Sequence, residues 1–379
     1  MSSPVSIKPV FSKRDKKLFL DVPFAIYGEG SNWVAPLYFE RFEHLDPKKN
    51  PYFEHAETQL FLAELDGKCV GRISAQIDRL HLDRYGDATG QFGFLEAPDD
   101  ARVFAALFTA AENWLRSRGM KHVRGPFSFS INDEMGLLIK GFDTPPSMMM
   151  GHALPYYESR VEEAGFTKAK DVIAYDFDTS MPLKRTLALA YERALRSKDI
   201  QVRALDKRNL ERDLDIIMEI FNDAWSGNWG FVPFTAEEVK ALGNNFKMLL
   251  KNEYIAIASY KGKPAAFVVT VPNINEWFDG LNGKLLPFGW AKIALSVFRG
   301  KPKSIRMPLM GVRKEFHDTL IGSSLALTVI ETVRRYHTAR GVKNGELSWI
   351  LEDNLAMRHI IEAFGAEPYK TYRIYEKKL

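Results

Sequence analysis

Cysteine is nearly absent from this sequence and long hydrophobic runs are absent altogether, and each shortage excludes a class of protein. The 379 residues include one cysteine, Cys69, which excludes an internal disulfide and a cysteine-rich metal site. No stretch reaches the roughly 18 consecutive apolar residues of a membrane-spanning helix. The first residues lack the charged and apolar regions of a secretion signal. We therefore expect a cytoplasmic protein without a membrane span.

An excess of charge of one sign is also lacking. The 52 lysines and arginines nearly balance the 48 aspartates and glutamates, which leaves a formal net charge of +4. A protein that binds nucleic acid usually carries a clear basic excess, so we expect no nucleic acid partner. His152 and His317 stand at no metal-ligand spacing from other residues, so we also expect no metal.

The main positive feature is a long internal repeat. Three pairs of segments follow each other in the same order: 61–77 with 256–271, 114–133 with 336–354, and 157–177 with 357–375. The first pair has the pattern of a hairpin. The second has the pattern of a helix end, a glycine and then a strand, and the third has the pattern of a helix, a glycine turn and then a strand. A repeat of about 200 residues is far longer than a solenoid unit. The sequence therefore predicts two tandem α/β domains with mixed sheets and helices on both faces, in residues 1–180 and 181–379.

The second copy carries an additional segment. The repeated glycines are 195 residues apart at Gly67 and Gly262 but 222 residues apart at Gly119 and Gly341, which predicts an insertion at 273–302. Its apolar residues include Trp277, Phe278, Phe288, Trp290, Leu295 and Phe298, and its basic residues are Lys284, Lys292, Arg299, Lys301 and Lys303. An apolar segment with basic flanks is typical of contact with an anionic bilayer. The alternative is an ordinary helix packed on the other copy.

Each copy resembles the GNAT acyltransferase superfamily, most clearly over residues 250–379. Residues 312–325 resemble the acyl-CoA loop of that family, with His317 at its basic or amide position, Gly322 at its last glycine and Leu320 in place of its middle glycine. Such a loop binds diphosphate through close backbone N–H groups and a helix N-terminus. The resemblance implies a coenzyme A site that comprises Val312, His317, Leu320, Gly322, Ser323, Ser324 and Asn354. The first copy has no such loop.

The resemblance also implies how the reaction proceeds. In this superfamily a backbone N–H on the strand before the loop polarises the thioester carbonyl, which assigns that role to Met310 or Gly311, with Val312 beside them. A carboxylate often serves as the base, and Glu276 and Glu346 are the candidates. For each carboxylate the alternative is a solvated or structural role. The tyrosine that often protonates the departing thiolate has no match, and Ile361 is nearest to its position.

Within the superfamily, the tandem copies and residues 228–234 and 286–290 resemble the bacterial ceramide synthase group. This resemblance implies transfer of a long acyl chain from acyl-CoA to the amine of a sphingoid base at the inner face of a membrane, with an acyl carrier protein as the alternative donor. The residues that would face these substrates are Trp225, Trp229, Phe231, Phe288, Trp290, Asn132 and Asp133. A core cluster is the alternative for Trp225, Trp229 and Phe231, and a turn or helix cap is the alternative for Asn132 and Asp133. A Fem-like aminoacyl transferase and a non-catalytic binding protein remain open as other classes.

Overall fold

The structure is a computed structural model in which the chain forms two compact units. It describes residues 3–28, 30–278, 280–299 and 302–379. One unit comprises Met1–Val172, Phe278–Gly289 and Lys370–Leu379, and the other comprises Ile173–Trp277 and Trp290–Tyr369. The units therefore do not divide at a single point near residue 180, because the end of the chain and part of the insertion belong with the first unit.

The helices and strands follow each other along the chain as the repeat predicts. The first half contains β1 (Ser6–Pro9), α1 (Lys13–Ile26), α2 (Tyr38–His44), β2 (Ala56–Leu65), β3 (Lys68–Asp78), α3 (Arg79–Tyr85), β4 (Thr89–Glu96), α4 (Ala101–Arg116), β5 (His122–Gly125), β6 (Phe127–Ser128), β7 (Glu134–Met135), β8 (Leu137–Lys140), α5 (Tyr157–Glu163) and β9 (Thr167–Asp178). The second half contains α6 (Arg185–Arg196), β10 (Ile200–Ala204), α7 (Leu210–Trp225), α8 (Ala236–Phe246), β11 (Ile255–Tyr260), β12 (Lys263–Pro272), α9 (Asn275–Phe278), α10 (Gly289–Arg299), β13 (Ser304–Val312), α11 (Leu320–Thr338), β14 (Asn344–Leu351), α12 (Leu355–Ala363) and β15 (Glu367–Lys378). The predicted α/β class is confirmed.

The sheet of the first unit runs in the order β1, β2, β3, β4, β5 and β15. Its neighbours are antiparallel except β4 and β5, which are parallel. The predicted hairpin of β2 and β3 is confirmed, and it turns at Asp66 and Gly67, both of which have positive φ. Leu60 and Leu62 pack in one cluster with Phe19 of α1, so this face of the sheet is covered by α1.

The sheet of the second unit runs in the order β9, β14, β13, β12, β11 and β10. Residues of β11 alternate between two hydrophobic clusters. Ile255 and Ile257 pack with α7, whereas Ala256 and Ala258 pack with α11. Successive side chains of a strand point to opposite faces, so α7 and α11 cover opposite faces of this sheet. Helices on both faces were predicted, and the second unit confirms this.

The insertion differs from its prediction in part. Trp277 and Phe278 are buried. Gly283 lies against the first unit's N-terminal segment, where its carbonyl oxygen accepts a hydrogen bond from the Tyr38 N–H at 3.0 Å. A Cβ atom at Gly283 would lie 2.9 Å from the Pro36 oxygen, so only glycine fits. Helix α10 buries none of its residues. Lys301 lies outside the described residues.

Candidate functional site

The candidate site lies where β13 and β14 separate. The two strands pair in parallel only as far as Met307 and Leu347. The next residue, Pro308, has no N–H to donate to a neighbouring strand, and the β12–β13 register shifts opposite it, between Val269 and Val271. Proline is tolerated in sheets at edges and bulges for this reason. Beyond Met307, the side of β13 that faced β14 is therefore an open edge.

The direction of each peptide group on this open edge follows from the register. The Arg313 N–H donates to the Ala265 oxygen of the neighbouring hairpin at 2.8 Å. Antiparallel pairs alternate between bonded and non-bonded positions, so Gly311 faces β12 while Met310 and Val312 face the open edge. The prediction that Gly311 supplies a donor to the thioester is therefore corrected. The backbone donors that face the cleft are the N–H groups of Met310 and Val312.

Gly311 has a steric role instead. A Cβ atom at this position would lie 2.8 Å from a ring carbon of Phe267 and 3.3 Å from the Cβ of Ala224. Contacts this short require the neighbours to move. The absence of a side chain at Gly311 lets the C-terminal turn of α7 lie directly on β13.

Side chains bind both carbonyl groups that face the open edge. The indole N–H of Trp225 donates to the Met310 oxygen at 2.9 Å. His317 places its Nε2 at 2.8 Å from the Val312 oxygen, to which it donates. Trp225 and Phe231 pack in the core cluster of α7, which is the alternative that the sequence left open for them. The substrate-facing role predicted for Trp225 and the coenzyme A role predicted for His317 stay predictions beside these contacts.

The loop before α11 uses most of its predicted phosphate donors internally. The Gly322 N–H donates to the hydroxyl of Thr319, the N-cap of α11, at 3.0 Å. The hydroxyl groups of Ser323 and Ser324 donate to the carbonyl oxygens of Thr319 and Leu320. Leu320, which replaces a glycine of the family pattern, is 88% exposed. What this site retains for an anion is the positive end of the dipole of α11 and the N–H groups of its first residues.

Gly322 is required by the loop itself. A Cβ atom there would lie 2.1 Å from the Phe316 carbonyl oxygen, which is a backbone atom that no rotamer change can move. We expect Gly322→Ala to displace the loop and, at the coenzyme A site that the resemblance implies, to weaken the binding of palmitoyl-CoA at least about 10-fold, as measured by calorimetry. The control is Gly345→Ala, whose Cβ would meet its nearest neighbour at an ordinary 3.5 Å. Equal affinities of the two variants would contradict this role.

Asn354 caps a helix. Its side-chain oxygen accepts a hydrogen bond from the Met357 N–H at 3.1 Å, at the first turn of α12. A side chain that caps in this way stabilises the helix start by about 1 kcal/mol. Its amide N–H groups remain the part of Asn354 that can contact a ligand, so its predicted place in the coenzyme A site stays a prediction.

Glu276 closes the neck of the insertion. Its carboxylate accepts hydrogen bonds from the Ser304 hydroxyl and, at 3.0 Å, from the Lys303 N–H. The Asn273 N–H also donates to the Ser304 oxygen, so the two ends of the insertion are joined side by side. One carboxylate oxygen therefore binds a side-chain hydroxyl and the other a backbone N–H, which is the structural alternative to a catalytic base.

Glu346 is the counterion of a buried arginine. The register pairs Arg306 of β13 directly with Glu346 of β14, and their charged groups lie 3.5 Å apart. Ser348 donates to Glu346 at 2.6 Å and accepts from Arg306 at 3.0 Å, and the Tyr369 hydroxyl also donates to Glu346. Arg306 is completely buried and stacks on the ring of Trp349. This network joins β13 to β14 just before they separate, and it occupies the carboxylate predicted as a base.

Arg306 is a residue of the site that was not predicted from sequence. The available signal was a single charged residue within the apolar strand 304–311, because a fully buried arginine needs a paired partner. Its partner Glu346 lies 40 positions later in the chain. Only the parallel register of β13 and β14 shows that these two charges meet.

The first unit fills the corresponding gap with its own chain. Strands β4 and β5 pair in parallel only as far as Gln91 and Arg124. A Cβ atom at Gly93, further along β4, would lie 1.6 Å from the Phe127 oxygen of β6. The backbone at Phe127 thus occupies the space that would be an open cleft. Asp133 accepts from two backbone N–H groups within the same turn, and Asn132 lies in that turn, as the structural alternative predicted.

The first unit also holds a buried carboxyl group that the sequence did not single out as functional. Glu96 accepts hydrogen bonds from the hydroxyl groups of Tyr27 and Tyr157 at 2.8 and 2.7 Å. Burial raises the pKa of Glu96 to about 7, and the nearby Arg72 guanidinium opposes that rise. In the described part of the chain, no group of three or more metal-ligating side chains comes together.

The segment around α10 exposes large apolar side chains. Leu286, Phe288, Trp290, Leu295 and Phe298 have exposed fractions between 48% and 90%. The basic residues Lys284, Lys292, Arg299 and Lys303 are exposed in the same stretch. Clusters of exposed apolar residues on a folded protein mark interaction sites. No helix among the described residues is both long enough and apolar enough to cross a bilayer.

Two known proteins are similar to this chain over nearly its whole length. The bacterial ceramide synthase of Caulobacter vibrioides (strain NA1000 / CB15N) is 43% identical over 379 residues, which cover 100% of this chain and 98% of that protein. Protein YghO of Escherichia coli (strain K12) is 43% identical over 378 residues, which cover 98% of this chain and 95% of that protein. No family model matches the sequence.

Solved structures show the same fold at low sequence identity. A tandem GNAT protein from the clavulanic acid biosynthesis pathway is 14% identical to this chain and has a TM-score of 0.56 against it. The match covers 99% of this chain and 98% of that one. At this identity the likeness concerns the fold, and it agrees with the predicted tandem arrangement of two similar domains.

Proposed function

This chain has the tandem GNAT fold and belongs to the family of the bacterial ceramide synthase of Caulobacter vibrioides, and we propose that it N-acylates a sphingoid base with a long-chain acyl-CoA. The observation that carries the proposal is 43% identity along the entire chain, which includes the insertion. The fold alone supports only the reaction class, since one fold hosts many substrates.

We propose that acyl-CoA binds in the cleft between β13 and β14 and against the start of α11. The N–H groups of Met310 and Val312 face this cleft and can donate to the thioester carbonyl oxygen. Hydrogen-bond donors placed where negative charge develops in the transition state can account for a large part of an enzyme's rate enhancement. The start of α11 offers its dipole to the diphosphate of the donor.

The proposed reaction is a direct attack. The neutral amine nitrogen bonds to the thioester carbon, and the carbonyl oxygen becomes an oxyanion that accepts from Met310 and Val312. Collapse of this intermediate breaks the carbon–sulfur bond and releases the coenzyme A thiolate. The ammonium proton passes to water, because Glu276 and Glu346 both bind protein donors. No covalent enzyme intermediate forms.

We also propose that the exposed segment around α10 holds the protein at the surface of an anionic membrane. Aromatic side chains insert into the boundary between headgroups and acyl chains, and nearby lysines and arginines add electrostatic attraction. Helix α10 suits this role because it buries none of its own residues. A sphingoid base has a long alkyl chain, which partitions into the membrane. An enzyme bound at the membrane surface can therefore reach the base there.

The assay that tests the function is mass spectrometry of products. Purified protein is incubated with palmitoyl-CoA and, separately, with sphinganine, its 3-keto form, amino acids and polyamines. We expect an N-palmitoyl product with a sphingoid base only. A product formed only with a small amine would support an N-acyltransferase but contradict the proposed lipid acceptor. Turnover with palmitoyl-acyl carrier protein but not with palmitoyl-CoA would identify acyl carrier protein as the carrier of the donated acyl group. No product with any pair would favour a binding protein, and aminoacylation from charged tRNA would favour a Fem-like enzyme.

A further inference from the structure

The open edge of β13 presents donors and acceptors unequally. Beyond Pro308 an unpaired strand edge would display N–H and C=O groups in equal number. Here the Met310 carbonyl is bound by Trp225 and the Val312 carbonyl by His317, at 2.9 and 2.8 Å. Two side chains from different elements thus bind the acceptors of this edge and leave its N–H groups.

We propose that Trp225 and His317 are positioning residues that convert the open edge of β13 into a donor-only surface for the thioester carbonyl. The inference rests on the proposed function, because it concerns the same acyl-transfer site. The thioester carbonyl oxygen can only accept hydrogen bonds. The amide groups in the arm of acyl-CoA can both donate and accept them. With its carbonyls already bound, the edge favours the thioester oxygen at Met310 and Val312 over competing registers of the arm.

Both side chains are held in place by a set of contacts around the end of α7. Asp223 accepts from the Lys314 N–H at 2.8 Å, and the Lys314 ammonium donates to the Ser226 hydroxyl at 2.7 Å. Arg313 donates to Glu219 of α7 at 2.7 Å. These contacts fix the end of α7, which carries Trp225, to the loop that carries His317. A catalytic donor is effective when its supporting groups hold it within a fraction of an ångström.

The variants separate the hydrogen bond from the packing. Trp225→Phe keeps an aromatic ring in the α7 cluster but removes the indole N–H. His317→Leu removes the imidazole donor, and His317→Gln restores an N–H donor on a side chain of similar reach. We expect Trp225→Phe and His317→Leu to lower kcat about 10-fold and kcat/KM for palmitoyl-CoA by at least as much. His317→Gln is expected to recover most of the lost rate.

A binding measurement tests the same point without turnover. The wild type is expected to bind palmitoyl-CoA more tightly than a thioether analogue that has the same chain but no carbonyl group, as measured by calorimetry. Trp225→Phe and His317→Leu are expected to reduce that preference, while thermal unfolding shows that both remain folded. Unchanged kcat and unchanged preference in both variants would overturn the inference, as would an equal loss of affinity for palmitoyl-CoA and for the thioether analogue. If the wild type acylates no amine and binds no palmitoyl-CoA, the result would instead contradict the proposed function.

Discussion

Replacement of Glu346 by leucine is expected to lower the free energy of unfolding by about 3–5 kcal/mol. The change removes the counterion of the buried Arg306 guanidinium and the carboxylate to which the hydroxyls of Ser348 and Tyr369 donate. Removal of one partner of a buried ion pair typically has a cost of this size. Urea denaturation followed by circular dichroism measures it.

Two further variants make this test specific. Glu192→Leu removes a carboxylate that lies 3.7 Å from Arg196 and is 54% exposed, and we expect a change within about 0.5 kcal/mol. The double variant Arg306→Met/Glu346→Leu removes both buried charges and should regain most of the loss, because no unpaired charge remains. A single Glu346→Leu variant with the stability of the wild type would show that the buried pair does not hold β13 to β14.

Replacement of Phe288, Trp290 and Phe298 by serine together is expected to reduce binding to anionic vesicles by about 100-fold or more. Each exposed aromatic ring that enters the membrane boundary contributes of the order of 1 kcal/mol or more. Sedimentation with phosphatidylglycerol-containing vesicles measures the partition coefficient. The folded protein should be unaffected, because these side chains lie at the surface.

The matched control is Phe11→Ser, which removes a phenylalanine that is 76% exposed outside the insertion. It should bind vesicles as the wild type does. Wild-type binding should also weaken as the salt concentration rises, because Lys284, Lys292 and Arg299 contribute by charge. Vesicle binding that survives the triple replacement would place the membrane contact elsewhere or remove it.

Local pattern was sufficient for the two repeated hairpins of this fold. The hairpin turns at Asp66–Gly67 and Lys261–Gly262 adopt the positive φ values that tight turns require, and both hairpins were predicted from sequence. The insertion was located by the changed spacing of repeated glycines. These features depend on residues a few positions apart, or on comparison of one half with the other, so the sequence contains them in full.

The use of each polar group in the site could not be predicted in this way. Ser323, Ser324 and Gly322 have the composition of a phosphate loop, yet the hydroxyls of the two serines and the Gly322 N–H bind the start of α11 itself. Glu276 and Glu346 have the chemistry of a base, yet their oxygens accept from protein donors. Whether a polar group is free depends on which neighbours the fold brings to it.

The sequence by itself determined the tandem α/β repeat, the insertion and the family, because propensity, spacing and identity are properties of the order of residues. Only the tertiary structure decided that Met310 and Val312 rather than Gly311 face the cleft, that Arg306 meets Glu346, and that Trp225 and His317 bind the open edge of β13. The physical reason is that the register of neighbouring strands sets the direction of every N–H and C=O group, and register is a relation between segments far apart in the chain.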